Sequence, residues 1–272
     1  MIPLGRALVV MVLAVPSAAL PGGAGPSGRD LERELAALTP AQSQTCFVLL
    51  DLGTGVVTRV HPDECARRPA PRSMFKVFNT LAGLEAGVLK DETTSFAWDA
   101  TRQPVAAWER DHTLASALRE SLVWYYQRVA AGVGAERMQR YIDAVGYGNR
   151  DLSGGLTRFW LSSSLAISPD EQVAFLRRLY RDELPFDRAH QALTRRLLVL
   201  DQADGRVFSG KTGTCQAGAG SRISWFVGHL RSPHGEHVFA TRIVAPVDGA
   251  GAAMDGRRAR DITRALLERA RS

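Results

Sequence analysis

Strand-like sequence occurs in two blocks at opposite ends of this chain, and that separation restricts the fold more than any single motif. Near the start, residues 47–51 and 56–60 flank Leu52-Gly53-Thr54-Gly55 and read as a hairpin. Near the end, residues 207–209, 223–230 and 238–244 read as strands, with Arg231-Ser232-Pro233-His234-Gly235 as the turn joining the last two. The stretch between the blocks carries helical spacing. Strands that find partners across most of the chain imply one antiparallel sheet completed from distant segments. The expected class is α/β (α+β type): the sheet flanked by terminal helices, with a helical region inserted.

Residues 30–38 place Leu31 and Leu35 on one helical face. Residues 73–85 repeat Phe75, Phe78, Leu81 and Leu84 at helical spacing until Gly87, so Ser73 stands at a helix start with Lys76 one turn on and on the same face. Asp111-His112-Thr113 caps a helix carrying Leu114, Ala117 and Leu118. From Ser121 that helix either continues or gives way to a second one ending at Gly132. Residues 135–145 form another helix, stopped by Gly146 just before Tyr147-Gly148-Asn149. Ser168-Pro169-Asp170-Glu171 joins an N-cap, a first-turn proline and a capping-box glutamate, and starts a helix to about Tyr180. Residues 187–200 and 256–270 complete the helical set.

The first residues differ from the rest. Arg6 precedes an apolar run from Ala7 to Leu20 that closes on Ser17, Ala18 and Ala19 and is too short to span a bilayer comfortably. Residues 1–24 are therefore expected to be a signal peptide and residues 25–272 a single catalytic domain. It would be exported to the periplasm or the medium, with no stable membrane association once the signal is cleaved. The net charge of +6 comes from scattered arginines without an aromatic-lined basic patch, so nucleic acid is not an expected partner. Cys46 and Cys65 flank the hairpin and are the expected disulfide of an exported protein. Cys215 is left over, and its plain reading is a buried apolar side chain. His234 and His237 lie in a turn without carboxylate or cysteine partners, and no metal is expected.

Arginine outnumbers lysine thirty-one to three, and two of the three lysines sit in reactive-looking motifs. They are Ser73-Met74-Phe75-Lys76 and Lys211-Thr212-Gly213-Thr214. A desolvated lysine can lose its proton whereas a guanidinium cannot, so amines kept at these positions point to serine nucleophile chemistry.

Ser-x-x-Lys followed by Lys-Thr-Gly is the pattern of penicillin-recognising serine enzymes. The middle element here is Ser121-Leu122-Val123 rather than Ser-Asp-Asn, and no Glu-x-x-Leu-Asn segment occurs. With Tyr147-Gly148-Asn149, Phe159-Trp160-Leu161, Trp108 upstream of Ser121, and Trp225-Phe226-Val227-Gly228, the ordered set resembles the class D (oxacillinase-type) serine beta-lactamases. That resemblance implies beta-lactams as the small-molecule substrates. It implies Ser73 as nucleophile, and Lys76 carrying carbon dioxide as an N-carboxylated base with no other cofactor. Val123 and Trp160 would support the carbamate. Ser121 and Lys211 would relay a proton to the leaving nitrogen, while Lys211, Thr212 and Arg258 hold the substrate carboxylate. The amides of Ser73 and Thr214, beside Gly213, would form the oxyanion hole, and Trp108 and Met74 would line the entrance. A non-hydrolysing beta-lactam sensor domain and a penicillin-binding transpeptidase or carboxypeptidase are the alternatives. Thr214 and the glycine-rich stretch to Trp225 depart from the family pattern, which leaves substrate preference open, as is oligomeric state.

Overall fold

A computed structural model describes residues 28–161, 164–216, 218 and 220–270. The expected signal, residues 1–24, lies outside them. In chain order the elements begin with α1 (Gly28–Leu38), β1 (Gln44–Asp51), β2 (Val57–Val60) and α2 (Pro62–Ala66), then a 3-10 turn at Arg72–Met74 leading into α3 (Phe75–Glu85). A two-stranded ribbon, β3 (Ser95–Phe96) with β4 (His112–Thr113), precedes α4 (Leu114–Glu120), α5 (Val123–Val133), α6 (Ala135–Val145), α7 (Pro169–Tyr180) and α8 (Arg188–Leu197). The chain closes with β5 (Val199–Ala203), β6 (Arg206–Gln216), β7 (Ser221–Ser232), β8 (Gly235–Pro246) and α9 (Gly256–Arg269).

The main sheet has six strands in the order β2-β1-β8-β7-β6-β5, and every neighbouring pair is antiparallel. The early hairpin thus joins the late meander through β1 and β8, as the two separated blocks require. Side chains alternate across β1: Phe47 and Leu49 enter one core, Cys46, Val48 and Leu50 the other. On the first face α1 and α9 lay Leu31, Leu35, Ile262 and Leu266 against Phe208, Phe226 and Phe239. Each such side chain contributes roughly 1.5–3 kcal/mol by leaving water. The inserted helices cover the other face around α3, which is buried from Phe75 through Leu84. Two of its interior polar side chains donate to backbone carbonyls: Asn79 Nδ2 to Tyr126 at 3.0 Å and Thr80 Oγ1 to Lys76 at 2.8 Å.

One open alternative is decided and two boundaries differ from the sequence reading. The stretch around Ser121 resolves into two helices, because Ser121 adopts a left-handed conformation (φ 61°) that ends α4 before Val123 starts α5. The helix expected to reach residue 200 stops at Leu197, and Val199 pairs instead with Ser209 as an edge strand. β6 is longer than the expected residues 207–209, since continuous pairing with β7 carries it through the polar and glycine-rich residues to Gln216. Cys46 and Cys65 are bonded, tying β1 to α2 across a separation of 19 residues. Closing a loop of that size contributes about 3 kcal/mol. No helix among the described residues is long and apolar enough to cross a membrane.

Candidate active site

Ser73 sits in the 3-10 turn just ahead of α3, where the backbone is forced rather than relaxed. Arg72 before it has φ 53°, an uncommon conformation for a residue with a Cβ, and its N–H donates to the Trp160 carbonyl at 3.0 Å. Lys76, one turn on, is fully buried and donates from Nζ to Ser73 Oγ at 2.9 Å. The amine lies 5.7 Å above the Tyr126 ring, whose hydroxyl is engaged with Thr80 Oγ1 at 2.8 Å. Burial, with the nearby Lys211 charge added to it, holds the Lys76 amine well below the ordinary lysine range.

The second pair is built by α4 and β6. Ser121, in its left-handed cap position, accepts from Lys211 Nζ at 2.9 Å, and the same ammonium donates to the Thr212 carbonyl at 3.0 Å. Burial lowers Lys211 to about 7. Strained backbone at both Arg72 and Ser121 places two left-handed residues at one site, each costing about 1–2 kcal/mol. Trp108 braces this side: its indole donates to the Glu120 carbonyl at 3.1 Å and its own carbonyl accepts from Trp124 at 3.0 Å.

Strand β6 closes the site. A Cβ built on Gly213 would lie 3.5 Å from Met74 Cγ and 3.6 Å from the Pro71 carbonyl oxygen, so the strand runs directly over the serine-bearing turn. The Gly210 N–H donates to the Leu198 carbonyl on the β5 side. Amides two and four residues along a strand point the same way, so the Thr212 and Thr214 N–H groups face this edge beyond the end of β5. The Thr214 hydroxyl accepts from the Gly256 N–H at 2.8 Å, anchoring the start of α9. Only glycine fits there, because a Cβ on Gly256 would stand 2.8 Å from Thr212 Cβ.

Tyr147-Gly148-Asn149 clamps the loop that carries Trp160. Asn149 exchanges hydrogen bonds with Ala166 (both 2.9 Å) and donates to the Ser164 carbonyl at 2.6 Å, while the buried Tyr147 hydroxyl accepts from Gln172. Gly148 has φ 56°, and a Cβ there would fall 2.2 Å from the Ala166 carbonyl oxygen. Trp160 stacks on Phe75 at 5.4 Å and packs edge-on to Phe159. Its indole N–H is buried without a hydrogen-bond partner among the described residues. A buried donor left without a partner is open to a small anion.

Ser73, Lys76, Ser121 and Lys211 are thus gathered as two serine–lysine pairs, with Val123 opening α5 two residues after Ser121, and with Thr212, Gly213 and Thr214 along one strand edge. Two expectations fail. Met74 is 1% exposed, packed beneath β6, and lines no entrance. Arg258 reaches the Leu38 carbonyl at 3.4 Å, whereas Arg257 and Arg260 line the cavity that holds Lys211 and Thr212. The physical reason is helical phase: Gly256, Ala259 and Ile262 are the buried stripe of α9, so positions 257 and 260 share one flank and 258 turns to the other. Tyr126 was not singled out in the sequence, although its place one turn after Val123 was the available signal. Burial pushes the Cys215 thiol up against the pull of Arg72, which fits an inert side chain. No three His, Cys, Asp or Glu side chains gather as a metal site among the described residues.

The chain matches the family model of the penicillin-binding protein transpeptidase domain over residues 45–268. It is 41% identical over 197 residues to the probable beta-lactamase YbxI of Bacillus subtilis (strain 168), spanning 72% of this chain and 73% of that protein. The crystal structure of a class D beta-lactamase from Bacillus subtilis superposes with a TM-score of 0.79 at 36% identity, over 88% of this chain and 94% of that one. The C-terminal domain of the Bacillus licheniformis BlaR penicillin-receptor does so with 0.78 at 29% identity, over 89% and 94%.

Proposed function

This chain belongs to the class D serine beta-lactamases, within the penicillin-binding transpeptidase family, and from that membership we propose that it opens the beta-lactam ring through an acyl-enzyme on Ser73. The observation that carries the reading is the fully buried Lys76 amine, 2.9 Å from Ser73 Oγ. A protonated lysine could not accept the serine proton; one held neutral by burial can. The same neutrality lets the amine take up carbon dioxide, and the N-carboxylated form would supply an anionic base for acylation and deacylation. The unpartnered Trp160 indole N–H is the donor available to hold it.

Lys211 and Thr212 receive the substrate carboxylate, with Arg257 or Arg260 in place of the expected Arg258. Ser73 Oγ attacks the ring carbonyl while the amides of Ser73 and Thr214 receive the developing oxyanion. Ser121, hydrogen-bonded to Lys211, passes a proton to the departing nitrogen, and valine at position 123 keeps a polar group away from Lys76. Hydrolysis of exported-site antibiotics in this way protects the producing cell. Removal of residues 1–24 on export and a single catalytic unit thereafter belong to the same reading.

The likeness to the penicillin-receptor domain favours one rival, a sensor that acylates the same serine and keeps the product. Mixing the protein with a few equivalents of penicillin in bicarbonate buffer separates the two. Repeated turnover with a transient Ser73 adduct supports the hydrolase; one equivalent consumed and a lasting adduct supports the sensor.

A further inference from the structure

The cavity beside Lys211 is larger and more basic than one carboxylate requires. It holds about 400 Å3 and extends from Lys211 and Thr212 on β6 to Arg119 at the end of α4 and Arg196 at the end of α8, with Arg257 and Arg260 of α9 on its rim. Leucines of the α8–β5 junction supply apolar wall, and no carboxylate among the described residues lines it. Acidic neighbours touch three of these arginines: Glu120 is 3.8 Å from Arg119, Glu92 is 3.5 Å from Arg196 and Asp261 is 3.1 Å from Arg260. Arg257 has no ion-pair partner among the described residues. Charges of one sign gathered in a concave, partly apolar wall repel each other and focus a positive field into the space they enclose. An anion relieves that repulsion. Lys211, Thr212 and one α9 arginine are enough for the ring carboxylate, which leaves Arg119 and Arg196 without a task in the reaction.

We propose that this cavity is a second anion subsite, selecting beta-lactams that carry an additional negative group on the fused ring, away from the acylamino side chain. The inference rests on the acylation reading above. With the ring carboxylate held by Lys211 and Thr212, a substituent on the adjacent ring carbon extends past them into the cavity. Arg119 and Arg196 are therefore specificity residues, acting on the substituent and not on the reacting bond.

The test uses two cephalosporins with the same acylamino side chain, one with a neutral acetoxymethyl group on the ring and one with a carboxylate-bearing thioether. Their second-order acylation constants are measured by competition with a fluorescent penicillin, so release of the product does not enter. At low ionic strength the dianionic compound should acylate Ser73 about tenfold faster, and added salt should erode that advantage. Arg119→Gln/Arg196→Gln should bring the ratio of the two constants to within about twofold, and Arg119→Lys/Arg196→Lys should retain most of it. Equal constants in the wild-type protein, a ratio unaffected by salt, or a ratio unchanged in the glutamine variant would each overturn the subsite. The salt series on the wild-type protein decides the matter even if a variant fails to fold. Turnover followed in parallel isolates the parent reading: selective acylation without release refutes hydrolysis and leaves the subsite standing.

Discussion

Ser73 with Lys76 and Ser121 with Lys211 are paired over the same 2.9 Å, yet one lysine belongs to a buried helix and the other to a strand edge. Lys76 is fully buried over the Tyr126 ring, and the charge that presses on it is another lysine. Lys211 keeps the Thr212 carbonyl as a second acceptor and opens onto a cavity lined by arginines. Equal geometry in unequal surroundings produces unequal chemistry: an amine without its proton on the nucleophile side, and one that titrates near neutrality on the substrate side. The fold sets this division by assigning one pair to the inserted helices and completing the other across the cleft.

The comparison breaks first on the hydroxyls. Ser73→Ala should lower kcat/KM by about 10^4-fold or more, and Ser121→Ala by about 10^2–10^3-fold, because only the first removes the attacking atom. Steady-state hydrolysis of a chromogenic cephalosporin measures both; equal losses would erase the distinction between the pairs. Next in size is the clamp that supports the nucleophile side. Gly148→Ala places a methyl group against the Ala166 carbonyl at positive φ and should cost about 3 kcal/mol in urea unfolding. Gly218→Ala, also at positive φ but with open space around it, should cost about 1 kcal/mol, so the difference reports the clash itself.

The buried amine should also be a stability liability. Lys76 in the folded protein binds a proton less readily than in the unfolded chain, so stability rises with pH between its lowered folded value and 10.5. The penalty is complete below the folded value and vanishes as pH approaches 10.5. Lys76→Met removes it and should stabilise the protein at neutral pH in bicarbonate-free buffer, with the gain shrinking as pH rises. Thermal or urea unfolding across pH checks this, and a gain that grows with pH would contradict it. The smallest effect is on the substrate side. The alkaline loss of kcat/KM should begin near 7, where Lys211 gives up its proton, and Lys211→Arg should remove that limb at about a tenfold cost near neutrality.

Both pairs were legible in the sequence for different reasons. Ser73 and Lys76 lie one turn apart, so local spacing places them together. Ser121 and Lys211 are joined only by tertiary structure, and the ordered family motifs, not periodicity, brought them together. The extent of β6 was hidden because Gly210, Thr212, Gly213 and Thr214 lack strand alternation; pairing with β7 supplies what propensity does not. Val199 and Leu200 prolonged an apolar helical pattern, but β6 offered them an edge to pair with. Motif likeness points to Arg258, while the burial of Gly256 and Ala259 fixes a helical phase that turns it toward α1. The deep burial of Lys76 follows from α3 being covered on every side, a property of the assembled layers.

NMR of protein equilibrated with isotopically labelled bicarbonate tests the asymmetry of the two lysines most directly. A single protein-bound carbamate resonance is expected in the wild type, retained in Lys211→Arg and absent from Lys76→Met, because Lys76 is the amine that burial holds well below the ordinary lysine range. A resonance that survives Lys76→Met, or full turnover by a wild-type protein that shows none, would contradict the assignment of the base to Lys76.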